Sequence, residues 1–158
     1  MTSMRTFRGI LALLLLFSLS AFADDWSLKD TTGVGHTLSG ERGKWVLVNF
    51  WAPWCPPCIE EIPNFISLQK RGDLQVIGVA VMYKNRREVM DEVEHLAINY
   101  PVVLGNEDTA GDFGGVTGLP TSFLYAPNGK LVGKHEGPLT QDEIKRAIEG
   151  NATALFKR

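Results

Sequence analysis

Apolar residues are grouped along the chain in two ways that predict different elements. Continuous β-branched and aromatic runs at residues 45–51 and 74–82 are typical of strands that are buried in a sheet. Between them, apolar residues recur every three or four positions, which predicts an amphipathic helix from Cys58 to near Gly72. A charged segment after the second run predicts another helix, whose inner face is formed by Val89, Met90, Val93, Leu96 and Ala97.

Shorter alternating segments predict two hairpins. Near the start, residues 26–30 and 36–38 alternate apolar and polar side chains around a glycine-containing turn. Near the end, residues 121–125 and 131–135 flank a Pro-Asn-Gly sequence, and Asn-Gly between two strands is a strong hairpin signal.

The remaining segments are a short stretch at residues 101–104, a brief helix around residues 108–113 and a last helix from Thr140 to Ile148. Thr140 and Glu143 have the spacing of a capping box, which marks the start of that helix. The order β-α-β-α-β-β-α, with parallel crossovers first and an antiparallel hairpin last, predicts an α/β sandwich. We find no linker or repeat, so one domain spans about residues 26–149.

The first 23 residues have the pattern of a secretory signal peptide. Arg5 and Arg8 form a positive head, residues 10–19 are almost wholly apolar, and Ala21-Phe22-Ala23 provides a small-x-small site. The pattern predicts cleavage after Ala23 and a mature domain of residues 24–158. An uncleaved membrane anchor is the alternative, but the apolar run is shorter than the about 20 residues that span a bilayer. No cysteine lies near the site for a lipid anchor.

Charge and cysteine content narrow the classes of partner. The 158 residues include 16 basic and 18 acidic side chains, and cleavage would leave 14 basic and 18 acidic ones, a net charge of −4. A mildly acidic surface gives no counterion-release drive toward nucleic acid and no basic patch for anionic lipid. The chain has two cysteines, Cys55 and Cys58, too close together to staple a fold. They indicate reactive thiols, and proteins or small thiols as partners.

Three short motifs resemble the thioredoxin superfamily. They are residues 51–58 with the sequence Trp-Ala-Pro-Trp-Cys-Pro-Pro-Cys, then Glu61 with Pro63, then residues 118–121 with the sequence Gly-Leu-Pro-Thr. Within that superfamily they resemble the TlpA-like branch of exported disulfide reductases, which includes the reductants of cytochrome c maturation. The resemblance implies a monomeric three-layer α/β/α sandwich with a mixed central sheet, an N-terminal β-hairpin and a βα-type insertion.

Cys55 is expected to be the nucleophile. It lies where a strand ends and a helix begins, and unpaired N–H groups and the helix dipole favour a thiolate there. Pro56 and Pro57 are tolerated in a first helical turn, although each removes an N–H donor and so limits how far the Cys55 pKa falls. Cys58, one turn later, is expected to resolve the mixed disulfide. A zinc site, the alternative, would need about four ligands, and no further cysteine is present.

Resolution by Cys58 requires a proton acceptor. Thioredoxin has a buried aspartate on the strand before its active site, and the matching position here is Asn49, which cannot take a proton. Glu61 is three residues after Cys58 and shares its helix face. The resemblance implies that Glu61 is the acceptor, and the alternative is a solvated carboxylate like its neighbour Glu60.

The resemblance also implies a client-binding surface. Pro120 matches the family's cis-proline, which exposes backbone for pairing with an extended substrate, whereas an ordinary trans turn is the alternative. Leu119 and Thr121 would then touch the client. Trp54 is expected to shield Cys55 at the surface beside Pro56 and Pro57, and Trp51 is expected to be buried. We interpret the three histidines, His36, His95 and His135, as ordinary surface residues.

These features together favour a periplasmic protein disulfide reductase that needs no metal and no cofactor beyond the Cys55–Cys58 pair. The family implies a membrane electron donor of the DsbD type, and apocytochrome c as a client. An oxidase or isomerase of the same fold remains open, because the same cysteines serve both directions. A peroxiredoxin would need a different cysteine pattern. A copper carrier would need a histidine or methionines beside the motif, and Met82 and Met90 are expected elsewhere.

Overall fold

A computed structural model describes residues 25–72, 74–151 and 155–157, so the predicted signal peptide lies outside the described residues. The strands are β1 (Ser27–Lys29), β2 (Gly35–Thr37), β3 (Trp45–Trp51), β4 (Leu74–Ala80), β5 (Val102–Leu104), β6 (Thr121–Tyr125) and β7 (Leu131–Glu136). The helices are α1 (Pro56–Gln69), α2 (Arg86–His95), α3 (Glu107–Gly111) and α4 (Gln141–Arg146), the last followed by a π-helical turn, Ala147–Asn151.

The central sheet is mixed and has five strands in the order β5-β4-β3-β6-β7. Strand β3 pairs parallel with β4, and β4 pairs parallel with β5, because α1 and α2 carry the chain back between them. Strands β6 and β7 run antiparallel and form the predicted hairpin. The leading hairpin of β1 and β2 forms a separate two-stranded sheet.

Two apolar clusters lie on opposite faces of the central sheet. Leu47 and Trp51 of β3 face the cluster that contains the buried sides of α1, α2 and α4. Val48 and Phe50, the alternate residues of the same strand, face the leading hairpin and the segment around α3. The predicted three-layer α/β/α sandwich is therefore confirmed, and β5 followed by α3, the extra helix before the last hairpin, is the βα-type insertion.

Element boundaries differ from the predicted ones at two places near the cysteines. Helix α1 begins at Pro56, two residues before the predicted start. Proline is accepted there because the N–H groups of a first helical turn have no partner within the helix, so the missing N–H costs no hydrogen bond. Strand β4 ends at Ala80, and Met82 takes a left-handed φ of 54° that an extended strand would not contain. The Thr140–Glu143 capping box is confirmed.

The prediction that all histidines are surface residues is wrong for two of them. His36 is half-buried, with Nε2 3.0 Å from Asp30 Oδ2 and Nδ1 3.3 Å from Glu41 Oε1. His135 is also half-buried and lies 3.1 Å from the carbonyl oxygen of Leu155. The partners of His36 lie five and six residues away in the sequence and that of His135 lies 20 residues away, so neither contact follows from the alternating pattern of its strand. His95 is exposed.

Candidate active site

The two cysteines lie at the junction of β3 and α1 and form a disulfide, with Cα atoms 5.3 Å apart. Cys55 is the N-cap residue of α1, with extended backbone angles, and Cys58 is in the first turn. Cys55 is 4% exposed and Cys58 is 0% exposed. A disulfide partner entering from solvent therefore meets Cys55 before Cys58.

The first turn of α1 offers few N–H groups to a Cys55 thiolate. Pro56 and Pro57 have none, and the N–H of Ile59 already donates to the Cys55 carbonyl oxygen at 3.1 Å. The N–H of Cys58 remains, at the position from which an N-cap side chain ordinarily accepts a bond. Helix capping can stabilise the thiolate through this donor and the helix dipole.

Glu61 lies on the inner side of α1 and is only 1% exposed, whereas its neighbour Glu60 is exposed. Its Oε1 accepts a hydrogen bond from Asn49 Nδ2 at 2.8 Å, and its Oε2 accepts one from the N–H of Leu139 at 2.8 Å. Burial raises the pKa of Glu61 to about 7, and these two bonds limit the rise. Glu61 is thus a buried carboxyl that exchanges a proton near neutral pH, not a solvated surface group.

Asn49 has a role that the sequence reasoning missed. It lies in the middle of β3, directly opposite Ser122 of β6, and both side chains are buried. Asn49 Nδ2 donates to Ser122 Oγ at 3.0 Å as well as to Glu61. The available signal was Asn49 as the one polar residue inside the otherwise apolar strand β3, since buried polar groups are ordinarily paired.

The Leu119–Pro120 peptide bond is cis, as the resemblance implied. Leu119 is half-buried and lines the groove beside Cys55. Thr121 is 0% exposed, and its Oγ1 donates to the carbonyl oxygen of Gly118 at 2.7 Å. The Thr121 side chain therefore points into the fold and holds the loop, and it does not line the groove.

A groove of about 890 Å³ runs past Cys55. Its walls come from the cysteine motif, the loop after β4, the α3 segment and the loop before Pro120. The lining residues of the first two walls are Trp54, Cys55, Pro56, Pro57, Val81, Met82 and Tyr83, and those of the others are Gly105, Asn106, Glu107, Ala110, Val116, Thr117, Gly118 and Leu119.

Met82 lies in this groove, and the expectation that it sits away from the cysteine motif is wrong. Trp54 Nε1 donates to the Met82 carbonyl oxygen at 2.7 Å, which ties the loop after β4 to the motif. Trp54 is 53% exposed and Met82 is 70% exposed, so the two form an open apolar rim beside Cys55. Trp51, in contrast, is fully buried, as expected.

None of the helices in the described ranges is long and apolar enough to cross a membrane. The region around α1 brings together a cysteine that lines the groove, a fully buried cysteine, a buried carboxyl and an apolar groove.

Comparison with known proteins places this site in a family. Residues 20–134 match the model of the AhpC/TSA family. The chain is 34% identical over 136 residues to the thiol-disulfide oxidoreductase ResA of Geobacillus thermodenitrificans, covering 84% of this chain and 77% of that protein. It is 36% identical over 126 residues to ResA of Bacillus subtilis, covering 77% and 69%.

A solved structure gives the same result for the fold. The thiol:disulfide interchange protein of the thioredoxin family from Chlorobium tepidum matches with a TM-score of 0.71 and 30% identity, covering 79% of this chain and 91% of that one. The paired cysteines at the start of α1 and the cis-proline loop beside them agree with that likeness. The chain belongs to the AhpC/TSA family and is a thiol–disulfide oxidoreductase with the thioredoxin-like fold.

Proposed function

We propose that the protein works outside the cytoplasm and reduces disulfides in client proteins, with Cys55 as the nucleophile and Cys58 as the resolving thiol. The position of the two cysteines relative to the groove supports this most directly. Cys55 lines the groove, and Cys58 is fully buried behind it. Attack on a client's disulfide requires an accessible thiolate, whereas attack on the bound intermediate does not.

The proposed reaction has two exchange steps. The Cys55 thiolate attacks one sulfur of the client disulfide, which forms a mixed disulfide and releases the first client thiolate. The Cys58 thiolate then attacks the Cys55 sulfur, which releases the second client thiolate and forms the Cys55–Cys58 disulfide. Two electrons pass from the protein dithiol to the client. A dithiol donor, which the resemblance implies is a membrane protein of the DsbD type, restores the reduced pair by the reverse exchange.

Glu61 is proposed to accept the Cys58 proton in the second step. Both side chains are buried on α1 and are three residues apart, which puts them on one helix face. With a pKa of about 7, Glu61 is partly ionised at neutral pH and has room for a proton. The Cys55–Cys58 pair is then the complete redox group, and the proposal needs no metal or further cofactor.

The groove is proposed to hold an extended client segment against the Leu119–Pro120 loop. Its walls are mostly apolar, with Trp54 and Met82 at the rim. Such a surface suits the exposed apolar residues that flank a cysteine in an unfolded chain. Apocytochrome c is the client that the family resemblance implies. A single chain suffices for both exchange steps, which agrees with a monomer.

Export is proposed from the first 23 residues, whose charge and apolar pattern is that of a signal peptide. Expression of the full chain in a bacterium and N-terminal sequencing of the soluble product tests this. A mature chain that starts at Asp24 supports it, and an intact N-terminus in the membrane fraction would favour the anchored form.

The function is tested by reduction of an insulin-type disulfide by the mature chain with a thiol donor. We expect Cys55→Ser to abolish turnover, and Cys58→Ser to accumulate mixed disulfides with clients. Trapping by Cys55→Ser instead would reverse the two assignments. Equilibration with glutathione then gives the reduction potential of the Cys55–Cys58 pair, which indicates the direction of electron transfer. A potential near the about −270 mV of thioredoxin supports a reductase, and one near the about −120 mV of a strong oxidant supports disulfide formation.

A further inference from the structure

The centre of the sheet contains a polar pair that neither exchange step uses. Asn49 and Ser122 face each other across β3 and β6, at 1% and 0% exposure, in the interior of the fold beside the buried Glu61. Polar groups buried in this way cost free energy unless they are hydrogen-bonded. Two aliphatic residues would fill the same space without that cost, so stability alone does not account for the pair.

The hydrogen bonds of Asn49 point toward Glu61. Both hydrogens of its amide are engaged, one with Glu61 Oε1 at 2.8 Å and one with Ser122 Oγ at 3.0 Å. Its Oδ1 has no hydrogen-bond partner among the described residues. An amide that leaves a buried oxygen unpaired is a poor structural element. Its N–H is nevertheless turned toward the carboxylate, where a donor favours the charged form.

We propose that Asn49 and Ser122 are positioning residues that set the proton affinity of Glu61 and so fix the pH range of the resolving step. Asn49 does this directly, through its N–H on Oε1. Ser122 acts through Asn49, because its hydroxyl holds the second amide hydrogen and keeps the amide in the plane that reaches Glu61. This inference rests on the proposed role of Glu61 as proton acceptor.

Few other groups can set this proton affinity. Leu139 donates its backbone N–H to Oε2, and Cys58 shares the helix face of Glu61. Tyr100 is the other titratable neighbour; burial and the Glu61 charge raise its pKa, so it stays protonated. No charged side chain in the described part of the chain contributes to the pKa of Glu61. Asn49 is therefore the side chain through which this carboxyl is adjusted.

The test measures both exchange steps of the reduced mature protein across pH. An aromatic disulfide with a coloured thiolate product serves as the probe, because Cys55 releases the first thiolate and Cys58 releases the second. We expect Asn49→Leu to raise the pH midpoint of the second release by about one unit, since a bond to a charged group is lost. Ser122→Ala should raise it by less, and neither variant should change the first release.

Val48→Ala is the matched control. Val48 is buried next to Asn49 on β3 but faces the opposite apolar cluster, so its truncation lowers stability without touching Glu61. We expect its pH midpoint to equal that of the parent. A titration of Glu61 by carboxyl infrared absorbance should follow the kinetic midpoint in each variant, which a loss of packing alone would not produce.

Glu61→Gln, measured beside these variants, separates two kinds of failure. If Glu61→Gln leaves the second release unchanged, Glu61 is not the proton acceptor and the proposed function loses that step. If Glu61→Gln slows the second release but Asn49→Leu and Ser122→Ala keep the parental midpoint, only the positioning role is overturned.

Discussion

Asp30 and Glu61 are both carboxyl groups with little access to water, but their pKa values are shifted in opposite directions. Asp30, at the end of the leading hairpin, accepts bonds from the N–H groups of Thr32 and Val34, the Thr32 hydroxyl and the His36 ring. Burial opposes its charge, but these bonds outweigh it and hold the pKa of Asp30 well below its usual range. Glu61 accepts two bonds, and burial prevails over them.

The difference shows what separates a structural carboxylate from one suited to proton transfer. Enough donors around a buried carboxyl fix its charge, so that it ties a turn together at every ordinary pH. A carboxyl that is more deeply buried and has fewer hydrogen-bond donors is partly protonated and partly ionised near neutral pH. The leading hairpin thus contains the first kind, and the helix beside the cysteines contains the second.

The largest expected effect is on the pH dependence of stability. Folding raises the pKa of Glu61 from 4.5 to about 7, so the folded state holds more protons between these values. The stabilisation that protonated Glu61 contributes is fully present below pH 4.5 and is lost as the pH rises through about 7. A shift of that size corresponds to about 3 kcal/mol.

Urea unfolding of the oxidised protein across this pH range measures the contribution of Glu61 to the free energy of unfolding. The free energy of unfolding of the parent should fall toward neutral pH relative to that of Glu61→Gln, which cannot ionise. Parallel curves for parent and variant would show that Glu61 titrates as an ordinary surface carboxyl, and the contrast with Asp30 would disappear.

The second effect concerns the opposite carboxylate. Asp30→Ala removes the acceptor of the Thr32 and Val34 N–H groups and one partner of His36, which should lower the free energy of unfolding at neutral pH by about 2 kcal/mol. Because the pKa of Asp30 is lowered, this contribution is present above its ordinary pKa and is lost as the pH falls. Its pH dependence therefore has the opposite sign to that of Glu61.

Urea midpoints of three variants check this second prediction. Asp30→Asn keeps an oxygen for the turn but loses the charge beside His36, so its loss should be intermediate. Asp25→Ala, an exposed carboxylate bonded to Ser39, is the matched control and should cost less than Asp30→Ala. Equal losses at both positions would mean that burial and donor number do not distinguish these sites.

The sequence predicts the strands, the helix and the cysteine motif of this site better than it predicts the contacts between their side chains. Strands β3 and β4 and helix α1 follow from continuous and periodic apolar runs, and the cysteine motif follows from its own short spacing. The pairing of Asn49 with Ser122 depends on the register between two strands far apart in the chain, which no local pattern encodes. Met82 reaches the groove because β4 ends early and the backbone turns left-handed, and residue preferences did not reveal either feature.

The smallest expected departure from the parent comes from exchanging the amide and the carboxyl in Asn49→Asp/Glu61→Gln. The new amide at position 61 would donate to the new carboxylate at position 49, and its carbonyl oxygen would accept the Leu139 N–H. The Ser122 hydroxyl, which can donate or accept, would donate to the carboxylate. Every bond seen in the parent is then kept with its direction reversed where necessary, and a proton acceptor is present again.

We expect Glu61→Gln alone to slow the release of the second thiolate by about a hundredfold, a usual contribution of a general base. The exchanged double variant should return to within about threefold of the parent, because the carboxyl has moved across one hydrogen bond of 2.8 Å. Asn49→Asp alone places two carboxyls in contact, which should then share a proton and titrate as one coupled pair. A double variant as slow as Glu61→Gln would show that the carboxyl must be on α1. Its position on the helix, and not its hydrogen bond with residue 49, would then account for the difference between Glu61 and Asp30.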